Sequence, residues 1–74
     1  MKGIIFGRRF CTSCGHNSMY YYKWKTSRGE EIMGECFSKG CNNIEYCDGE
    51  TEQSIKNRYK NRSWKNMNEP IDLL

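Results

Sequence analysis

From Ile4 to Phe10 the chain alternates, with Ile4, Phe6, Arg8 and Phe10 at one parity and Ile5, Gly7 and Arg9 at the other. Period-2 alternation of this kind predicts a strand, and it runs directly into Cys11. A second run, Met19 to Thr26, is rich in β-formers and splits by parity, with Tyr20, Tyr22 and Trp24 on one side and Tyr21, Lys23 and Lys25 on the other. The aromatic side is expected to face the core and the cationic side to face solvent. Thr26-Ser27-Arg28-Gly29-Glu30 then reads as a hairpin turn, and Glu31 to Glu35 returns as the partner strand toward Cys36. Asn43 to Cys47 alternates again as a third or fourth strand, ended by Asp48-Gly49. Thr51 to about Trp64 holds neither Pro nor Gly, and Ile55 and Tyr59 stand four residues apart, as on one face of a short helix.

The expected organisation is therefore residues 1–50 as a small β unit of three to four short antiparallel strands. A basic C-terminal helix over 51–66 packs on or beside it, and a flexible tail spans 67–74. That tail carries the only proline and ends Pro70-Ile71-Asp72-Leu73-Leu74, a sequence like the terminal peptides that dock on sliding clamps.

The chain has 74 residues, too few to bury a core that holds itself. Domains of this size rarely gain more than about 3–5 kcal/mol from apolar burial, so a disulfide, a metal or a partner must supply the rest. Five cysteines offer the means. The N-terminal residues show no apolar stretch of signal-peptide length, so a cytoplasmic location is expected, where closely spaced cysteine pairs serve as metal ligands more often than as disulfides. No stretch approaches the ~20 apolar residues of a membrane span.

Cys11, Cys14, Cys36 and Cys41 form the pattern C-x2-C-x21-C-x4-C. Two short-spaced pairs separated by the length of a hairpin supply two thiolates each to one tetrahedral ion, and Zn2+ is the ion that such a sulfur set selects. His16 and Cys47 are the alternative ligands. A catalytic zinc keeps an open position, whereas four thiolates leave none, so a structural ion and a non-enzymatic protein are expected.

Charge changes the picture further. Residues 1–30 carry six basic groups against Glu30, residues 31–50 carry Lys39 against five acids, and residues 51–66 carry five basic groups against Glu52. Such segregation points to a charged partner without saying which. With no apolar span and no pocket-forming length, neither a membrane nor a small-molecule substrate is expected. Lys23, Lys25 and Arg28 on the hairpin, with Arg58 and Arg62 of the helix, are the candidate nucleic-acid contacts, since cations hold phosphates and rings such as Tyr21 stack on bases.

Residues 6–47 resemble the zinc ribbons of nucleic-acid machinery. Among these they look most like the Ogr/Delta zinc-finger activators of phage late transcription. The resemblance is carried by Cys11-Thr12-Ser13-Cys14-Gly15, by Thr26-Ser27-Arg28, and by Cys36-Phe37-Ser38-Lys39-Gly40-Cys41-Asn42. It implies a transcription-related protein that binds nucleic acid, DNA before RNA. The resemblance also implies binding to host RNA polymerase, and the alternative expectation is an adaptor or inhibitor docking on that polymerase, a sliding clamp or another host factor.

Overall fold

The computed structural model describes residues 2–72, which form one antiparallel sheet of five strands with a short helix on one face. Strand β1 spans Lys2–Cys11, β2 His16–Thr26, β3 Gly29–Cys36 and β4 Ile44–Tyr46; helix α1 spans Glu52–Tyr59, and β5 spans Lys65–Asp72. The spatial order is β4-β3-β2-β1-β5. The three strands expected from alternation are present, as is the short strand after the second cysteine pair.

Three features depart from the expectation. The sheet has five strands because residues 65–72, expected to lie in the end of the helix and in the tail, pair with β1 from Arg8↔Lys65 to Lys2↔Asp72. Pro70 fits there because β5 is an edge strand, where a missing N–H breaks no ladder. Residues 73–74 of the clamp-like peptide lie outside the described residues. The helix is also shorter than expected and is followed by a strand, so it is not C-terminal. Thr51 caps its start, with the Thr51 hydroxyl accepting from the Ser54 amide and the Ser54 hydroxyl accepting from the Thr51 amide. Before β5 the chain reverses through Ser63, which sits in the left-handed region at φ 60°.

The third departure is the buried face of β2. Its parity split is as expected, but Tyr21 is wholly buried under the helix, while on the other side Tyr22 is buried and Tyr20 and Trp24 are only half-buried. Ile55 and Tyr59 do cover the sheet, on the Tyr21 side. Phe6, Tyr21, Tyr59 and Trp64 form an aromatic group with neighbouring ring centroids 5.5–6.5 Å apart, and Met19, Ile32 and Ile55 complete this side of the core.

A bulge in β1 permits it. Between Ile5↔Tyr22 and Gly7↔Tyr21 the strand spends one residue more than β2, so strict alternation fails at Phe6. Two glycines make room for the large rings: a Cβ on Gly34 would meet the Tyr21 ring at 2.5 Å, and one on Gly7 would overlap Trp64. Beyond the bulge Arg9 turns inward, which is why the chain buries an arginine among its aromatics.

That arginine anchors a polar network. Arg9 Nε donates to the Tyr21 hydroxyl at 2.8 Å, and Glu45 Oε1 accepts from Tyr21 at 2.8 Å and from Tyr59 at 2.7 Å. The guanidinium lies 4.2 Å from the Tyr59 ring centroid and 3.4 Å from Glu45. Burial alone would raise the carboxyl pKa of Glu45. Hydrogen bonds from Tyr59 and Tyr21 and the charge of Arg9 outweigh it and hold the group below the ordinary carboxylate value.

Candidate metal centre

Both cysteine pairs sit at one end of the sheet because each flanks a tight reversal at a strand end. β1 stops at Cys11; the turn Thr12–Gly15 carries Cys14, and the Gly15 amide donates to the Cys11 carbonyl at 2.9 Å. Gly15, at φ 77°, takes the left-handed position the reversal needs. β3 stops at Cys36, paired across from Met19, and a second reversal brings the Cys41 amide to 3.1 Å from the Ser38 carbonyl, with Gly40 at φ 82°. The β2–β3 hairpin thus carries the second pair back to the first.

The four sulfurs lie within 4.8 Å of one another. Cys11 and Cys41 are 3.8 Å apart, and Cys14 and Cys36 are 3.6 Å apart. A disulfide would require about 2.05 Å. A tetrahedral site with metal–sulfur bonds of about 2.3 Å sets its sulfurs roughly 3.8 Å apart, so the spacing fits one metal ion held by four thiolates.

Polar groups around the ligands support the same use. The Asn43 side-chain amide donates to Cys11 Sγ at 3.7 Å, and the Ser18 hydroxyl lies 3.1 Å from Cys36 Sγ and 3.7 Å from Cys14 Sγ. Without a cation the thiols cannot all ionise together. Cys14 is drawn down to about 5 by hydrogen bonding to His16 and, against burial, by Ser18. Cys41 goes the other way: the Asn43 amide favours its thiolate, but Cys36, burial and the remaining thiols push it up to about 12. A bound divalent ion removes that conflict.

Neither alternative ligand belongs to the four-sulfur cluster, although His16 hydrogen-bonds to Cys14 at its edge. His16 is exposed beside Cys14. Cys47 is buried, with its Sγ 3.7 Å from Glu45 Oε2, and burial pushes its thiol up to about 11.

The five candidate nucleic-acid contacts do not share one surface. Lys23 is ion-paired with Glu52, which also holds Lys56, and Arg58 is held by Glu45 at 3.0 Å and Glu50 at 2.6 Å. Both cations are engaged within the protein. Lys25 and Arg28 are exposed near the β2–β3 turn, with Arg28 reaching Glu31 at 4.0 Å. Arg62 is exposed toward the metal end, where its carbonyl accepts from the Phe10 amide at 3.4 Å. Lys65, expected beside Arg58 and Arg62 on the helix, instead faces Arg8 across β1 and β5, a pairing the sequence does not announce. Only recognition of β5 as a strand would have joined them.

No protein family, curated protein or solved structure matches the chain. The likeness to the Ogr/Delta activators therefore rests on the cysteine spacing and short motifs alone. None of the helices among the described residues is long and apolar enough to cross a membrane.

Proposed function

We propose that this chain is a zinc-ribbon-type protein whose four cysteines hold one structural Zn2+, and that it binds nucleic acid in a transcription-related role. The four-sulfur donor set and its tetrahedral spacing support zinc over harder ions. A full shell of protein ligands makes the ion a clamp and leaves no position for a reacting water.

The observation that carries nucleic-acid binding is the corner where helix, turn and β5 meet. Lys60, Arg62 and Lys65 follow the helix, Arg8 faces Lys65, and none of these four is ion-paired with a carboxylate among the described residues. By contrast Glu45, Glu50 and Glu52 are spent on internal pairs. Net charge is a weak attractor here: the formal charge is +3, and four thiolates with one Zn2+ subtract two, leaving +1. Local clustering of cations has to supply the attraction.

The test is a salt titration of the zinc-loaded protein against labelled DNA and RNA. Phosphate contacts give a fall of log K with log salt of about 0.9 per contact on duplex DNA and about 0.7 on single strands. Absence of binding at low salt would refute the proposal. A second reading, docking on a host protein, is favoured by the exposed Tyr46, 74% accessible on edge strand β4 beside Ile44. Such an interface shows little salt dependence and survives nuclease treatment in a pull-down.

A further inference from the structure

We infer that the corner of the sheet's open face formed by Lys65, Arg8, Tyr20 and Phe37 holds a short segment of single-stranded nucleic acid, its bases stacked on the rings and its phosphates on the two cations. This rests on the nucleic-acid reading above and gives it a place and a substrate class.

The register puts Lys65, Arg8 and Tyr20 side by side on three adjacent strands, on the face that the helix leaves uncovered. Trp64, one residue before Lys65, packs on the helix side against Gly7, which turns Lys65 outward on the other. Directly opposed like charges destabilise a sheet, and neither Arg8 nor Lys65 is ion-paired with a described carboxylate. Among the described residues the Arg8 guanidinium makes one hydrogen bond, from Nη1 to the Asn17 carbonyl at 2.9 Å, out of the five donors it offers. An anion bridging the pair would turn this repulsion into binding.

The aromatic half adjoins it. Phe37 stacks on Tyr20 with centroids 5.2 Å apart and planes at 17°, and Phe37 is 47% exposed. Its place in the second cysteine turn fixes it, since its amide donates to the Ser18 carbonyl at 3.0 Å. A flat ring pair beside two cations is the combination that holds unpaired bases. In a duplex the base faces are covered by their neighbours, so the platform selects single strands. Glu35, across from Tyr20 on β3 and accepting from the Tyr22 hydroxyl at 3.2 Å, bounds the cationic strip on that side.

The test uses the full zinc-loaded chain with a fluorescein-labelled oligothymidylate and a labelled hairpin duplex, read by anisotropy across a salt series. Wild type is expected to favour the oligothymidylate. Arg8→Gln with Lys65→Gln should lower the salt slope by about 1.4, two contacts at about 0.7 each. Phe37→Ala should weaken binding roughly ten- to a hundredfold, as loss of one stacking ring does elsewhere. Lys25→Gln with Arg28→Gln, near the β2–β3 turn, should change neither. Metal content is measured for every variant, and if Phe37→Ala loses the ion, Tyr20→Leu reads the same platform.

Wild-type affinity in both the charge and the ring variants would overturn the location while leaving nucleic-acid binding intact. Preference for the duplex would overturn the single-strand assignment. Failure of both probes to bind wild type would overturn this inference together with the reading beneath it.

Discussion

Replacement of Glu45 by alanine probes the network that closes the core. The carboxylate accepts from two tyrosine hydroxyls at 2.7 and 2.8 Å and faces two guanidinium groups at 3.0 and 3.4 Å. Truncation leaves the Arg9 charge, its side chain only 10% accessible, with the Tyr21 hydroxyl and the Phe10 carbonyl as its remaining hydrogen-bond acceptors. Breaking a buried ion pair from one side costs about 3–5 kcal/mol. Glu45 is itself 23% accessible, which sets the expectation near the lower limit, about 3 kcal/mol. In a domain of this size each kcal/mol shifts Tm by about 4–8 °C, so a fall of roughly 12–24 °C is expected. The assay is thermal unfolding followed by circular dichroism at pH 7 with zinc in fixed excess, so that metal linkage is equal in all samples. The pH matters in sign. A carboxyl held below its unfolded value contributes fully above about pH 4.5 and loses that contribution as pH falls through the folded value, so pH 7 reads the whole effect. Glu50→Ala is the control: it removes a pair with the half-exposed Arg58 and a hydrogen bond from the Ser54 hydroxyl, and should cost no more than about 1–1.5 kcal/mol. Equal effects of the two variants, or a loss under about 1 kcal/mol for Glu45→Ala, would show that Glu45 does not hold the buried Arg9 charge.

Serine at any of Cys11, Cys14, Cys36 or Cys41 should abolish stoichiometric zinc in native mass spectrometry, whereas Cys47→Ser should keep one ion; a strong chelator should collapse the wild-type circular dichroism spectrum. Gly34→Ala should destabilise by about 1–3 kcal/mol in denaturant melts, because its methyl meets the Tyr21 ring, and an unchanged midpoint would show that the ring yields. Truncation after Trp64 should lower Tm and promote self-association by baring the β1 edge, as size-exclusion chromatography would show; a dispensable tail would leave both unchanged.

Local pattern was enough wherever a feature depends on neighbours in sequence. The cysteine spacing, with glycine inside or just after each pair, announced two sharp reversals, and the run between Cys14 and Cys36 has the length and turn residues of a hairpin; the four sulfurs do converge. The helix likewise begins where the run free of Pro and Gly begins, at Thr51, whose cap with Ser54 is a contact between neighbours in sequence.

What the pattern could not give is the side on which each face is covered. Parity in β2 divided its residues correctly, but nothing local states that the helix returns over Tyr21 and leaves Tyr20 on the uncovered face, half-buried under Phe37. The bulge at Phe6 and the clearances at Gly7 and Gly34 decide that, and each is a relation between strands. The same holds for charge. Lys23 and Arg58 look like free cations in sequence, yet Glu52 and Glu45 reach them through the fold, while Arg8 and Lys65, 57 positions apart, become neighbours.

β5 marks the limit most plainly. Lys65-Asn66-Met67-Asn68-Glu69-Pro70 has weak strand propensity and reads as a tail. It is a strand because β1 offers an open row of amides and carbonyls, and Trp64 is anchored beside Gly7 at the point where pairing begins. The convergence of four cysteines, the two turns and the hairpin were legible in the chain, since all follow from short-range sterics and residue spacing. The buried face, the last strand and which cations lack a described carboxylate partner emerge only on folding, because each depends on contacts whose loop-closure entropy is overcome by long-range packing.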